Sequence, residues 1–377
     1  MFQNTALFRA AFAGLALLHV SAHARDDVSA DLTRFTEAGS VPGLAVAVSL
    51  DGRIVAAGAS GVRKHGDPAK VTVDDKFHIG SCTKSMTGTL AAILVKEGKI
   101  KWETTVAEVF PDFGIHPEYR KATLLQMASN SGGVPHDVPG KIWKQAVSHR
   151  EEPEAGQREE MVRALLKEAP DYPPGSRNVY SNGGFTIAGA MLERVSGKSY
   201  AELARERLFN LLDLKSAGFG AAAGLRKIDQ PYGHFKRLGF ITAVKPGPDA
   251  DNPPAITPAG RVHLSILDFA KYAGFHAGGS KLAPLNSEDL KFLHTPVPPG
   301  NDYALGWVVL DRPWANGKAL YHNGTNTMNY AVMWLAPEHR FAVVAAANID
   351  NPASQKACDE ACSMMIAKYL QTPKTVK

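Results

Sequence analysis

The spacing of apolar and polar positions changes character along this chain. Near the start, Val28–Ala38 has a helical period, and Gly43–Leu50 then alternates small apolar residues. Asp51-Gly52 follows, and Arg53–Ala59 resumes the alternation; Asp-Gly between two apolar runs predicts a β-hairpin. The far end repeats the pattern. Ala304–Leu310, Ala319–His322, Asn329–Leu335 and Phe341–Asn348 predict short strands between polar turns, and Ala357–Leu370 predicts a closing helix. The middle is helical in period over Ser81–Glu97, Arg158–Glu168, Gly184–Val195 and Tyr200–Leu212. Long proline- and glycine-rich connections separate these helices, notably Gly233–Gly260.

Strands at both termini with helices between them predict an α+β fold of sandwich type. One antiparallel sheet is assembled from both chain ends, with flanking helices and an inserted, mainly helical lobe. On this reading the sheet lobe takes about residues 25–80 and 300–377, and the helical lobe about 81–299. A cleft between the lobes is the natural place for chemistry. With 377 residues, 45% of them hydrophobic and 21% charged, the chain can bury a core, which excludes a disordered or collagen-like polymer.

Residues 1–24 predict an export signal. Arg9 is the only charge, an apolar run spans Ala10–Val20, and Ala22-His23-Ala24 offers a cleavage site before Arg25-Asp26-Asp27. The run is short of the about 20 residues a membrane span needs. The expectation is a periplasmic or secreted protein, cleaved after Ala24, with no stable membrane insertion afterwards; an uncleaved N-terminal anchor is the alternative. Cys82, Cys358 and Cys362 form no disulfide framework and lack the partners of a zinc site, so all three are expected to be free core thiols. The net charge of +5 comes without a lysine or arginine run of the kind that tracks nucleic acid. The chain has no His-Glu-x-x-His, no Gly-x-Ser-x-Gly, no complete phosphate loop and no Gly-x-Gly-x-x-Gly; no metal or organic cofactor is expected.

Three short elements could do chemistry together. Phe77-His78-Ile79-Gly80 leads into Ser81-Cys82-Thr83-Lys84 at the start of a long apolar helix. Ser81 would sit at its N-terminus with Lys84 one turn on. A serine hydroxyl is a weak nucleophile until a base takes its proton, and a desolvated lysine can share that task. Alone, Ser-x-x-Lys is too short to carry an assignment. Tyr180-Ser181-Asn182 is the second element: a phenolate beside an ammonium can act as base, and Asn182 can orient both Lys84 and a substrate amide. Read alone, it is more readily a packed loop tyrosine and a turn asparagine. His322-Asn323-Gly324-Thr325 is the third. Gly324 would allow close approach of a substrate, the Thr325 and Ser81 N–H groups could form an oxyanion hole, and His322 could bond the tyrosine or a substrate carboxylate.

In this order and spacing, the three elements resemble the serine β-lactamase and penicillin-binding superfamily, nearest to class C β-lactamases and the related D-alanyl-D-alanine peptidases and esterases. The resemblance covers roughly residues 30–370. It includes Val41-Pro42-Gly43-Leu44-Ala45-Val46-Ala47-Val48, Ser129-Asn130-Ser131-Gly132-Gly133 and Tyr303-Ala304-Leu305-Gly306-Trp307. It implies a β-lactamase/transpeptidase-like fold with Ser81 as nucleophile, Lys84 as its proton-sharing partner and Tyr180 as general base. Asn182 would orient Lys84 and the substrate, and His322 and Gly324 would form a wall of the site. Backbone amides of Ser81 and Thr325 would hold the oxyanion. Two positions depart from the pattern. His322 stands where class C enzymes carry a lysine. Asp137, in Val134-Pro135-His136-Asp137, falls where they usually place a glutamine touching the substrate side chain.

The resemblance implies a serine acyl hydrolase that forms a covalent acyl-enzyme on a small amide, β-lactam or ester, including peptidoglycan-like substrates. Its activity would be β-lactamase-like or D-alanyl-carboxypeptidase-like. A carboxylesterase is one alternative, and a penicillin-binding sensor without turnover is another. Oligomeric state is not legible.

Overall fold

The structure is a computed structural model describing residues 25–149, 153–279, 284–300 and 302–371. The expected export signal, residues 1–24, lies outside them. Three strands lie near the start: β1 (Asp26–Asp27), β2 (Gly43–Leu50) and β3 (Arg53–Gly61). The middle contributes β4 (Lys76–His78), β5 (Gly218–Phe219), β6 (His234–Arg237), β7 (Phe240–Ala243) and β8 (Val262–Ser265). The end supplies β9 (Val308–Arg312), β10 (Gly317–Thr325), β11 (Tyr330–Ala336) and β12 (Phe341–Ala347).

The main sheet has the order β1-β3-β2-β12-β11-β10-β9. The two ends of the chain meet at its centre, where β12 pairs with β2 from Phe341↔Leu50 to Ala347↔Leu44. The pairs are antiparallel except β1 with β3, so the sheet is mixed rather than wholly antiparallel as expected. The predicted hairpin turn is present, with Asp51 and Gly52 both at positive φ (51° and 75°) as a two-residue hairpin loop requires. Two small sheets, β4-β8-β5 and β6-β7, come from the middle.

Among the described residues, seven helices run nine residues or longer: α1 (Ser29–Glu37), α2 (Thr83–Lys96), α3 (Gly140–Ser148), α4 (Glu154–Lys167), α5 (Asn182–Ser196), α6 (Ile266–His276) and α7 (Pro352–Ile366). None is long and apolar enough to cross a membrane. Helix α7 starts five residues before its apolar pattern does. Asn351 caps it reciprocally with Ser354, and Pro352 occupies the first turn, where its missing N–H costs nothing.

Both faces of the central sheet are covered, which explains the unbroken apolar run Phe341–Ala347. In β12, Phe341, Val343, Ala345 and Ala347 join a layer with Leu32 and Phe35 of α1 and Cys358, Ala361, Cys362 and Met365 of α7. Ala342, Val344 and Ala346 face the opposite layer, with Phe269, Ala270 and Ala273 of α6 and the apolar residues of α2. Each valine, leucine or phenylalanine so buried contributes about 1.5–3 kcal/mol. The three cysteines are buried and free.

Two expected elements differ. The strand expected from Ala304 begins at Val308, because Tyr303–Trp307 forms a tight turn. Ala304 N donates to Trp307 O (2.8 Å), and Gly306 has φ 88°. The connection expected over Gly233–Gly260 contains the β6–β7 hairpin and a short helical turn, Thr257–Gly260.

Candidate active site

Helix α2 is buried along nearly its whole length, yet it opens with a polar run, Thr83-Lys84-Ser85. Each of these groups has a partner. The strap Pro258–Val262 lies along the start of the helix: Thr87 Oγ1 donates to Pro258 O (2.6 Å) and Val262 N to Thr83 Oγ1 (3.2 Å). Ser85 Oγ donates to Cys82 O (2.8 Å) and accepts from the Tyr272 hydroxyl (2.9 Å). Satisfying these groups internally lets a polar helix start sit inside the molecule.

Lys84 is fully buried. Its Nζ lies 3.0 Å from Ser81 Oγ, 2.7 Å from Asn182 Oδ1 and 2.7 Å from Ala259 O, and 4.7 Å above the centre of the Tyr180 ring. Burial pushes its pKa well below the ordinary lysine value. As a neutral amine it has two N–H groups, which match the Asn182 and Ala259 oxygens and leave the lone pair for the Ser81 hydroxyl. Tyr180 faces Ser81 within hydrogen-bonding reach, and burial raises its pKa. Burial thus favours the neutral form of both groups, phenol and amine.

Asn182 is placed by the start of α5. Ser181 caps that helix, its Oγ accepting from Gly184 N (3.1 Å) and donating to Pro135 O (2.7 Å). Asn130, at φ 62°, holds the segment from behind: its Oδ1 accepts from Ser181 N (3.0 Å) and its carbonyl from Val179 N (2.8 Å). Sequence reading quoted Asn130 within a matching loop but gave it no role. The Ala259 carbonyl was missed altogether, since a backbone acceptor leaves no mark in side-chain identity.

The third element closes on the first at very short range. A Cβ on Gly324 would lie 2.3 Å from Ser81 N, and one on Gly80 would lie 2.2 Å from Thr325 N. Only glycine at both positions lets the end of β10 and the Ser81 turn approach so closely. The amides of Ser81 and Thr325 are thereby set side by side.

Ser81, Tyr180, Asn182, Gly324 and Thr325 share one cleft of about 450 Å³, with Trp143, Asn252, Ile256, Gly260, Asn323, Asn326 and Thr327. None of these residues is cationic. His322 does not join them. Alternation along β10 turns it inward, where its Nδ1 donates to Asn323 O (2.5 Å) and its Nε2 accepts from the Tyr303 hydroxyl (3.2 Å). Burial pushes its pKa down to about 3, so it is neutral. It braces Tyr303, whose ring meets Tyr180 edge-on at 6.4 Å, rather than presenting a charge to the cleft. Asp137 is also outside: its carboxylate is 93% exposed and pairs with His136 (3.1 Å). The thiol of Cys82 turns away from the cleft and donates to His322 O (3.5 Å). Among the described residues no cluster of three or more histidine, cysteine, aspartate or glutamate side chains could hold a metal ion.

The family model described as Beta-lactamase matches residues 28–361. The chain belongs to the beta-lactamase family. It is 27% identical over 318 residues to Penicillin-binding protein 4 of Amycolatopsis lactamdurans, covering 79% of this chain and 78% of that one. To a Beta-lactamase of Escherichia coli (strain K12) it is 26% identical over 301 residues, 76% of this chain and 71% of that one. Its fold superposes on a D-stereospecific amidohydrolase from Streptomyces sp. with a TM-score of 0.70 at 21% identity, over 88% and 96% of the two chains. The family is one of serine hydrolases, and in this member the three elements converge on one cleft.

Proposed function

We propose that the protein is an exported serine acyl hydrolase that works through a covalent acyl-enzyme at Ser81. The observation that carries this reading is the buried amine of Lys84, shared between Ser81 Oγ, Asn182 Oδ1 and Ala259 O. As the Ser81 oxygen attacks a carbonyl, its proton passes to Lys84 Nζ. The tetrahedral oxyanion lies between the amides of Ser81 and Thr325. Tyr180 gives its proton to the departing nitrogen or oxygen and recovers one from the Lys84 ammonium. Water then attacks the ester, its proton returning through the same two groups to Ser81 Oγ.

The substrate is a small amide, lactam or ester, and the cleft lining favours a neutral one. The twelve lining residues include no lysine or arginine, Trp143 and Ile256 supply apolar wall, and the His136 ring stands 6.1 Å from that of Tyr180. A β-lactam or D-alanyl carboxylate would meet no lysine or arginine among those lining residues. An ester or uncharged amide is therefore expected to turn over faster than a cephalosporin or a D-Ala-D-Ala peptide.

Purified protein is incubated with a short-chain p-nitrophenyl ester, a chromogenic cephalosporin and a peptide ending in D-Ala-D-Ala. The expected result is turnover of the ester, abolished in Ser81→Ala. Turnover that persists in that variant rules out the mechanism. Stoichiometric labelling by a fluorescent penicillin without turnover of any substrate makes the protein a sensor instead.

A further inference from the structure

The β6–β7 hairpin places apolar side chains where water should meet them. Three of the six large hydrophobic residues most exposed among the described residues lie on it: Leu238 (89%), Phe240 (76%) and Phe235 (40%). Register explains why they cluster. The pairs Phe235↔Thr242 and Arg237↔Phe240 lie on one face, and His234↔Ala243 and Lys236↔Ile241 on the other. The base of the second face packs on the body of the molecule, while Lys236 near the tip stays exposed: His234 is buried with its Nδ1 2.7 Å from Asn348 O, and Ile241 packs against the core layer around α1 and α7. The first face, with Phe235, Phe240 and Arg237, looks outward.

The tip adds an independent sign. Leu238 and Gly239 form the two-residue turn with φ of 50° and 88°. Such a turn favours Asn-Gly or Asp-Gly, because a branched side chain at positive φ is strained. A leucine is therefore held there against local preference and against exposure. Cations surround it. Lys236, Arg237 and Lys245 are exposed, and none makes an ion pair with a described residue.

We propose that this hairpin docks the protein on a bilayer surface containing anionic phospholipid, with Leu238 and Phe240 entering the interface and Lys236, Arg237 and Lys245 meeting the headgroups. Apolar tip and basic flank are the combination such a surface binds. A second copy of the chain is a poorer occupant. Each partner of a stable dimer buries roughly 800 Å², beyond the reach of three side chains on a two-stranded hairpin. Docking would also orient the cleft. At the hairpin's base His234 N donates to Met328 O (3.0 Å), two residues from Asn326 and next to Thr327, which line the cleft. The mouth of the site would then stand beside the lipid headgroups.

The test is co-sedimentation of the full chain with vesicles of phosphatidylcholine alone or with 30% phosphatidylglycerol. The wild type is expected to bind the anionic vesicles at least tenfold more tightly, with binding weakened by 0.5 M salt. Leu238→Ser/Phe240→Ser should lose that advantage. Leu238→Asn supplies the residue this turn prefers, so it should hold or raise the melting temperature while lowering vesicle affinity several-fold. Hydrolysis of a soluble ester should be unchanged in these variants. Equal vesicle binding by wild type and the double variant would place the membrane contact elsewhere and overturn the proposal. A wild-type dimer that the double variant dissociates would overturn it in favour of self-association.

Discussion

An ammonium buried among neutral oxygens costs far more than a buried amine, and Lys84 has a carbonyl, an amide oxygen and a hydroxyl around it but no carboxylate. On the mechanism proposed above, that single fact orders the chemistry, with the lysine as base and Tyr180 as proton carrier. The pH dependence follows with its sign. A lowered lysine pKa means the amine is free at lower pH, so kcat/KM should climb through that pKa, below the usual ~10.4, and then level off. The raised phenol pKa of Tyr180 puts any descending limb above the usual ~10. A pH–rate profile checks both; a rate falling from pH 8 upward would assign the proton differently. Tyr180→Phe removes the carrier and leaves the amine. It should lower kcat by roughly 10²-fold or more with little change in KM, measured by steady-state kinetics. His322 belongs to this scale too: its imidazole is buried, bonds Tyr303 and lies 6.3 Å from the Tyr180 ring.

At the scale of elements, the site is a meeting of segment ends. The Ser81 turn, the cap of α5, the strap Pro258–Val262 and the end of β10 each bring one or two groups, and close backbone approach fixes their spacing. The junction of Gly80 with Thr325 and of Gly324 with Ser81 is the tightest part. Gly324→Ala should force β10 away from Ser81 and separate the two oxyanion donors. The expected loss in kcat is about 10²–10³-fold, the effect of removing one such donor, with the far-ultraviolet circular dichroism retained. A rate within threefold of wild type would mean that these amides are not held by that contact. The turn at Tyr303–Trp307 plays a similar part, because it packs on the start of α2 and so positions Tyr303 behind Tyr180.

For the whole molecule, burial of histidines sets the acid limit. Burial holds His322 and His294 down to about 3, His234 and His263 down to about 4, and His276 well below its ordinary value. The unfolded chain binds these protons near pH 6.5 and the folded chain does not. Their contribution to stability is thus complete above about pH 6.5 and is lost as the pH falls toward 4. Each group adds a slope of about 1.4 kcal/mol per pH unit in that window. Thermal melts between pH 8 and 4 should show a melting temperature that is flat above pH 7 and falls steeply below 6. A flat profile down to pH 4 would mean that these imidazoles titrate freely in the folded state.

The amino-acid order alone determined the strands at both ends, the Asp51-Gly52 hairpin, the long helix after Ser81 and the three short elements that carry the chemistry. These follow from periodicity, turn preference and side-chain type, which are local properties. Tertiary structure decided the rest. Whether His322 faces the cleft or the core depends on the register of β10 against β11, and Asp137 stands in solvent although its neighbour His136 lies 6.1 Å from the Tyr180 ring. The pKa of Lys84 falls only once helices and strap exclude water from it, and its third partner is a backbone carbonyl that any residue at position 259 would provide. Burial, register and main-chain geometry arise from contacts between distant segments, so no local pattern in the chain could announce them.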